Sequence, residues 1–222
     1  TTEAGFQEEI ELTRSFLETQ AAALEIEAIS PDGNRLEIPV RVTNLTGHKL
    51  PTSYPSRRVW IHLSVHDATG ALVFESGRPD AEGRLSIDTA ALQPQCLTPH
   101  KNDDAFDYSR CYEPHRDRID APAEVAVYES VLGDTAGRAT YVLLQAGRYL
   151  KDNRLPPQGF SRSAVPADGA TAIAGAAGSD PDFSPEAGTA GTGTDVVHYQ
   201  VDTAGRAAPY RIEARLLYQS VR

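Results

Sequence analysis

The strongest constraint in this sequence is the alternation that runs from Arg58 to His66. Val59, Ile61, Leu63 and Val65 share one face of an extended segment, and Arg58, Trp60, His62 and His66 share the other. A period of two with apolar residues on one side makes this a core strand. It is fed by a polar turn (Asn44, Thr46, Gly47), by His48, and by a loop stiffened with Pro51 and Pro55. An ordered loop leading into a core strand is where a β-domain places a recognition or ligand group.

The same period recurs along the chain. Residues 24–29 alternate, Pro31-Asp32-Gly33-Asn34 has turn composition, and Leu36, Ile38, Val40 and Val42 share an inward face. Asp67-Ala68-Thr69-Gly70 closes the central strand, and residues 71–75 return as the second arm of a hairpin. Val125, Val127 and Glu129 begin another strand. Residues 133–137 turn it, and Tyr141 to Leu144 is expected to pair back. Residues 196–201 and the run Tyr210, Ile212, Ala214, Leu216, Tyr218, a strict alternation expected to face inward, supply the closing strands. Short strands punctuated by Gly, Pro and Asp turns indicate an all-β fold, an antiparallel β-sandwich of immunoglobulin-like or jelly-roll style.

An amphipathic helix over residues 3–24 precedes the strands, with Phe6, Ile10, Thr13, Leu17 and Leu24 along one stripe. The expected division is a linker helix at 1–23 and a sandwich domain at 24–222, with long loops at 77–120 and 161–194. Residues 148–160, RYLKDNRLPPQGF, read as an extended basic loop. Residues 163–194, rich in Ala, Gly, Ser and Asp, read as a surface excursion with weak intrinsic order.

At 222 residues the chain can bury one good core. Its formal net charge of -10 argues against nucleic-acid binding, which requires a cationic face, and no run is apolar enough to span a membrane. The chain opens at Thr1 and contains no methionine, as expected of a processed protein or an excised piece of a longer one. Its two cysteines, Cys96 and Cys111, lie in one polar loop. That placement suggests a disulfide and a periplasmic or extracellular setting.

Residues 42–77, VTNLTGHKLPTSYPSRRVWIHLSVHDATGALVFESG, resemble a signature of multihaem c-type cytochromes, in the C-terminal non-haem β-domain that follows the haem-bearing part. The resemblance continues through Tyr112-Glu113-Pro114-His115, Val127-Tyr128-Glu129-Ser130, Gly133-Asp134 and RYLKDNRLPPQGF, and includes the last strand. It spans most of the chain, and residues 10–22 match the helix that joins the haem region to the β-domain. The resemblance implies a non-catalytic domain that packs on the haem region, shapes access to a haem and docks redox partners in electron transfer. The implied partner is the haem-bearing region of the same parent protein or a separate cytochrome, in an oligomeric state the resemblance leaves open. Haem c belongs to that parent or partner, because this chain has no Cys-x-x-Cys-His for covalent attachment. The loop holding Cys96 and Cys111 is an insertion relative to the pattern.

Four constellations are candidate sites. His48 is an axial haem ligand or a structural histidine bonding loop carbonyls. Arg57 and Arg58, with Arg148, Lys151 and Arg154, either receive haem propionates or form surface salt bridges. Cys96 and His100 recur in spacing as Cys111 and His115, each half reading Cys-x-x-Pro-His; the set is a disulfide loop or a Zn²⁺ or Cu site. Asn102, Asp103, Asp104 and Asp107 offer hard oxygen donors for Ca²⁺, or are a solvated acidic loop. Hydrolysis has no nucleophile elbow to carry it. The rival to a cytochrome-associated domain is a free-standing binding module for carbohydrate or a metal ion, with Tyr54 and Trp60 as an aromatic platform for the former.

Overall fold

The alternating runs become the ladders of a β-sandwich in the structure, a computed structural model that describes residues 2–52, 54–85, 112–164, 173–183 and 188–221. Helix α1, Glu3–Thr19, starts at Thr2, whose hydroxyl accepts from the Gly5 amide at 3.4 Å. It ends five residues short of the expected Leu24. Ala22, Leu24 and Ile26 fit either period, and pairing settles the matter: Ala22–Ile26 forms β1, antiparallel to β3. None of the α1 residues is buried. Phe6, Ile10, Leu12 and Phe16 all remain exposed.

The other strands are β2 (Ser30–Asp32), β3 (Arg35–Asn44), β4 (Arg58–His66), β5 (Leu72–Ser76), β6 (Arg118–Ile119), β7 (Val127–Gly133), β8 (Ala139–Thr140), β9 (Arg148–Asp152), β10 (Thr194–Asp202) and β11 (Arg211–Gln219). One sheet runs β1-β3-β10-β6, with β2 also on β3. The other runs β11-β4-β7-β8, with β5 on β4 and β9 on β7. The pairings are antiparallel except for β10 with β6. Between the sheets lie Ile38, Val40 and Val42 from β3, the four aliphatics of β4, and Val197, Tyr199 and Val201 from β10. Each such side chain contributes roughly 1.5–3 kcal/mol on burial.

The opposite face of β4 is covered as well. Trp60 is fully buried with Leu85, Val125 and Val127, and its indole N–H donates to the Gly77 carbonyl at 2.9 Å. Gly77 is obligatory there: its φ is 72°, and a Cβ would stand 2.3 Å from the Ile61 carbonyl oxygen.

Four sequence expectations give way. Tyr141 to Leu144 does not pair back; β8 stops at Thr140, a 3₁₀ turn follows at Leu143–Gln145, and Leu144 is 99% exposed. Those apolar residues run consecutively without alternation, so they define no sheet face. Beyond the short β8, β7 pairs instead with β9, the start of the stretch expected to be a basic loop. The excursion at 163–194 also contributes to the core, because Ile173, Ala177 and Phe183 are buried around a 3₁₀ turn at Gly175–Ser179. One aromatic residue in a small-residue segment is enough to anchor it. Finally, β11 keeps its register on β4, but its alternating residues are only half-buried and Tyr218 is exposed, as suits an edge strand.

Candidate functional site

The end of β9, Lys151-Asp152-Asn153-Arg154, gathers three stretches distant in sequence. Lys151 points inward, donating to the Val127 carbonyl at 2.9 Å and to Glu129 Oε1 at 3.2 Å. Asp152, fully buried, accepts from Lys49 Nζ at 2.8 Å and from Arg154 Nε and its terminal nitrogen at 2.8 and 2.7 Å. Burial pulls the Lys49 ammonium below its ordinary range, although Asp152 works against that shift. The loop around His48 is tied to this strand end: Leu50 and Leu155 exchange backbone hydrogen bonds at 2.8 Å each, and the Asn44 amide donates to the carbonyls of His48 and Leu155. GHKLP and KDNRLPP thus form one bracket.

Asn153 opens the second layer. Its Oδ1 accepts from the Glu129 amide at 3.0 Å, which fixes the orientation of the side chain. Its Nδ2 then donates to the Val127 carbonyl at 2.8 Å and to His115 Nδ1 at 3.1 Å. With Nδ1 accepting, the imidazole carries its proton on Nε2. That atom stands 2.8 Å from Asp180 Oδ2 and 2.9 Å from Asp117 Oδ1. Phe183 packs edge-on against the imidazole with centroids 4.8 Å apart, and stacks on Tyr128.

Behind this pair lies Asp195, 1% exposed, which accepts from the Tyr128 hydroxyl at 2.6 Å. Burial pushes its carboxyl up to about 7, against the pull of the Tyr128 bond, and Asp180 and Asp182 push further in the same direction. Burial and the Asp180 carboxylate also raise Asp117. Burial presses Asp180 the same way, but the His115 hydrogen bond and the Asp182 amide hold it below the usual range. The Tyr199 hydroxyl is fully buried and has no hydrogen-bond partner among the described residues. Burial and Asp195 both raise its pKa.

His115, Asp117 and Asp180 bring one ligand atom each within 4.8 Å of one another, close enough to invite a metal reading. The chemistry of the donor set opposes it. A metal on Nε2 requires the proton on Nδ1, where the Asn153 NH₂ group already donates. The cluster is a hydrogen-bonded set of carboxylates, an imidazole and a phenol.

The sequence-derived candidates have these places. His48 is exposed on its turn, with its backbone carbonyl accepting from Asn44 and Thr46. Arg57 is half-buried and donates to the Thr52 carbonyl at 3.3 Å. Arg58 is 4% exposed, donates to Gln219 and to the Leu85 carbonyl, and lies over the Trp60 ring. Arg148 is exposed, and Lys151 and Arg154 are committed to Glu129 and Asp152. Tyr54 is exposed whereas Trp60 is core, so the pair makes no aromatic platform. Cys96, His100, Asn102, Asp103, Asp104, Asp107 and Cys111 lie outside the described residues.

Asp180, Asp195 and Asn153 were not singled out by sequence. Asp195 had a signal: stepping back by two from Tyr199 and Val197 puts it on the inward face of β10. Asp180 sits in a stretch whose composition gives no periodicity to read.

No protein-family model matches the chain, and no curated protein matches it. Among solved structures, a penta-haem cytochrome c552 from Thermochromatium tepidum resembles it with a TM-score of 0.50 and 15% identity. The likeness is one of fold. It covers 93% of this chain and 34% of that one, so the chain spans about a third of the length of that cytochrome. No helix among the described residues is long and apolar enough to cross a membrane.

Proposed function

We propose that this chain is the non-catalytic β-sandwich domain of an extracytoplasmic multihaem cytochrome, or of a relative of one. Its role is to pack on a haem-bearing region and help redox partners dock in electron transfer. The observation that carries this reading is the fold likeness to a penta-haem cytochrome over 93% of this chain but only 34% of the other. The signature stretches support it from a second side. GHKLP, YEPH and KDNRLPP, read separately as marks of the same family, meet at Asp152 and Asn153. Their shared role is to brace one end of the sandwich, and they need no reacting group to explain them.

On this reading α1 is the contact to the haem-bearing region, since Phe6, Ile10 and Phe16 are exposed on it. A row of exposed apolar side chains on a helix is an unfinished packing face. His48 and Arg57, on the loop beside Asp152, are the haem-facing groups, and a Cys96–Cys111 disulfide suits the compartment. Hydroxyl-radical footprinting of the chain alone and within the full product of its gene tests the reading. Phe6, Ile10 and Phe16 are expected to be oxidised in the first and protected in the second. Equal oxidation of all three in both samples overturns it.

A further inference from the structure

Residues 173–183 dock on the sandwich through few anchors. Phe183, Ile173 and Ala177 are buried, and Asp152 and Ala174 exchange backbone hydrogen bonds at 3.0 and 3.2 Å. The polar anchors are His115 to Asp180 at 2.8 Å and the Val196 amide donating to Asp182 at 3.1 Å. The segment thereby carries two carboxylates down onto a surface that already presents two more. Facing one another are Asp180 and Asp182 from the segment, His115 and Asp117 from the stretch before β6, and Tyr128 from β7, on which Phe183 of the segment stacks while the Tyr128 hydroxyl donates to Asp195. From β10 come Asp195, Tyr199 and His198, and from β3 comes Arg41, which is itself paired with Glu27.

We propose that residues 173–183 form a proton-controlled latch, seated while Asp195 holds its proton and driven off the sandwich when Asp195 ionises against Asp180 and Asp182. The placement of charge gives the direction. Asp195 belongs to β10, whereas Asp180 and Asp182 belong to the segment, so repulsion among them is relieved by undocking and not by rearrangement within either sheet. The His115–Asp180 bond favours docking wherever Asp180 is ionised.

The sign follows from proton linkage. Asp195 is raised, so its ionisation opposes docking progressively as pH climbs from the ordinary carboxylate range to about 7, and fully above that. Asp180 is depressed, so its contribution is present above the ordinary carboxylate value and lost as pH falls through its lowered one. The latch is therefore seated in mild acid and loosest in mild base. If Asp195 regains an ordinary carboxylate pKa on undocking, the seated-to-open ratio falls by up to ~10²-fold between about pH 5 and about pH 8.

The test is amide hydrogen exchange on the intact chain at about pH 5 and about pH 8, corrected for intrinsic rates, with β3 amides as the internal reference. Expected is a selective loss of protection at the higher pH for residues 173–183 and for the Val196 amide. Asp195→Asn should keep the segment protected at both values. Constant or rising protection of the wild-type segment overturns the proposal, as does an Asp195→Asn protein that loses protection as the wild type does. Should that variant fail to fold, Asp182→Asn, which removes a facing charge from the segment itself, is expected to shrink the loss; an undiminished loss counts against the latch.

Discussion

The bracket at Asp152 makes an asymmetric prediction. Its carboxylate is fully buried and receives three charge-assisted hydrogen bonds of 2.7–2.8 Å from Lys49 and Arg154, whose side chains are only 10% and 12% exposed. Asp152→Ala leaves an ammonium and a guanidinium facing each other out of water, and should destabilise by roughly 3–5 kcal/mol. Lys49→Met keeps the bidentate Arg154–Asp152 pair and removes a cation whose burial already disfavours its charge. Its expected cost is at most about 1.5 kcal/mol. For a domain of this size those values correspond to melting shifts of about 6–20 °C and at most about 6 °C. Trp60, the sole tryptophan and fully buried, reports unfolding in urea by fluorescence without any added label. An Asp152→Ala protein within about 1 kcal/mol of wild type, or a Lys49→Met protein as damaged as Asp152→Ala, would refute the reasoning.

Two further substitutions probe the outer layer over β4. Gly77→Ala forces a side chain onto the Ile61 carbonyl at a φ of 72°, and should cost at least ~2 kcal/mol in the same urea titration. A loss below about 0.5 kcal/mol would mean that the close approach is readily relieved. Arg58→Lys keeps the charge but cannot reach both Gln219 and the Leu85 carbonyl from one planar group. A loss of about 1–3 kcal/mol is expected. An unchanged melting point would remove Arg58 from the account of how residues 77–85 are held.

Much of the fold was legible because period two survives in the chain wherever one face is buried. β3, β4 and β10 carry that pattern plainly, and all three form the core as the alternation requires. The pattern failed where the buried positions are polar. β7 is buried at every position, with its polar residues Glu129 and Ser130 inside, and although its end at the 133–137 turn was legible, its partner β9 was not. It failed again in β9, whose Lys151 and Asp152 look like surface residues in one dimension and are neutralised by Glu129, Lys49 and Arg154 in three. Helix α1 was overextended for a third reason: Ala22 and Leu24 satisfy both periods, and only the ladder with β3 distinguishes them.

The polar cluster was harder to read than the strands. His115 was noticed for a spacing shared with His100, as a possible partner of thiolates, yet its contacts are Asn153, Asp117 and Asp180. Those residues lie 38, 2 and 65 positions away, and nothing local signals the last. A buried hydrogen-bond network assembled from three loops leaves no spacing to detect. Asn44 is the instructive counterexample. A polar turn before a core strand pointed to an ordered loop, and the Asn44 amide does bond both His48 and Leu155, which closes the bracket.

The haem content of the full gene product, purified from its native cells and assayed by the pyridine haemochromogen method, tests the central claim most directly. The account predicts c-type haem, covalently bound elsewhere in the same polypeptide or in a protein that remains attached through purification. A product free of haem, with no haem protein bound to it, would contradict that prediction.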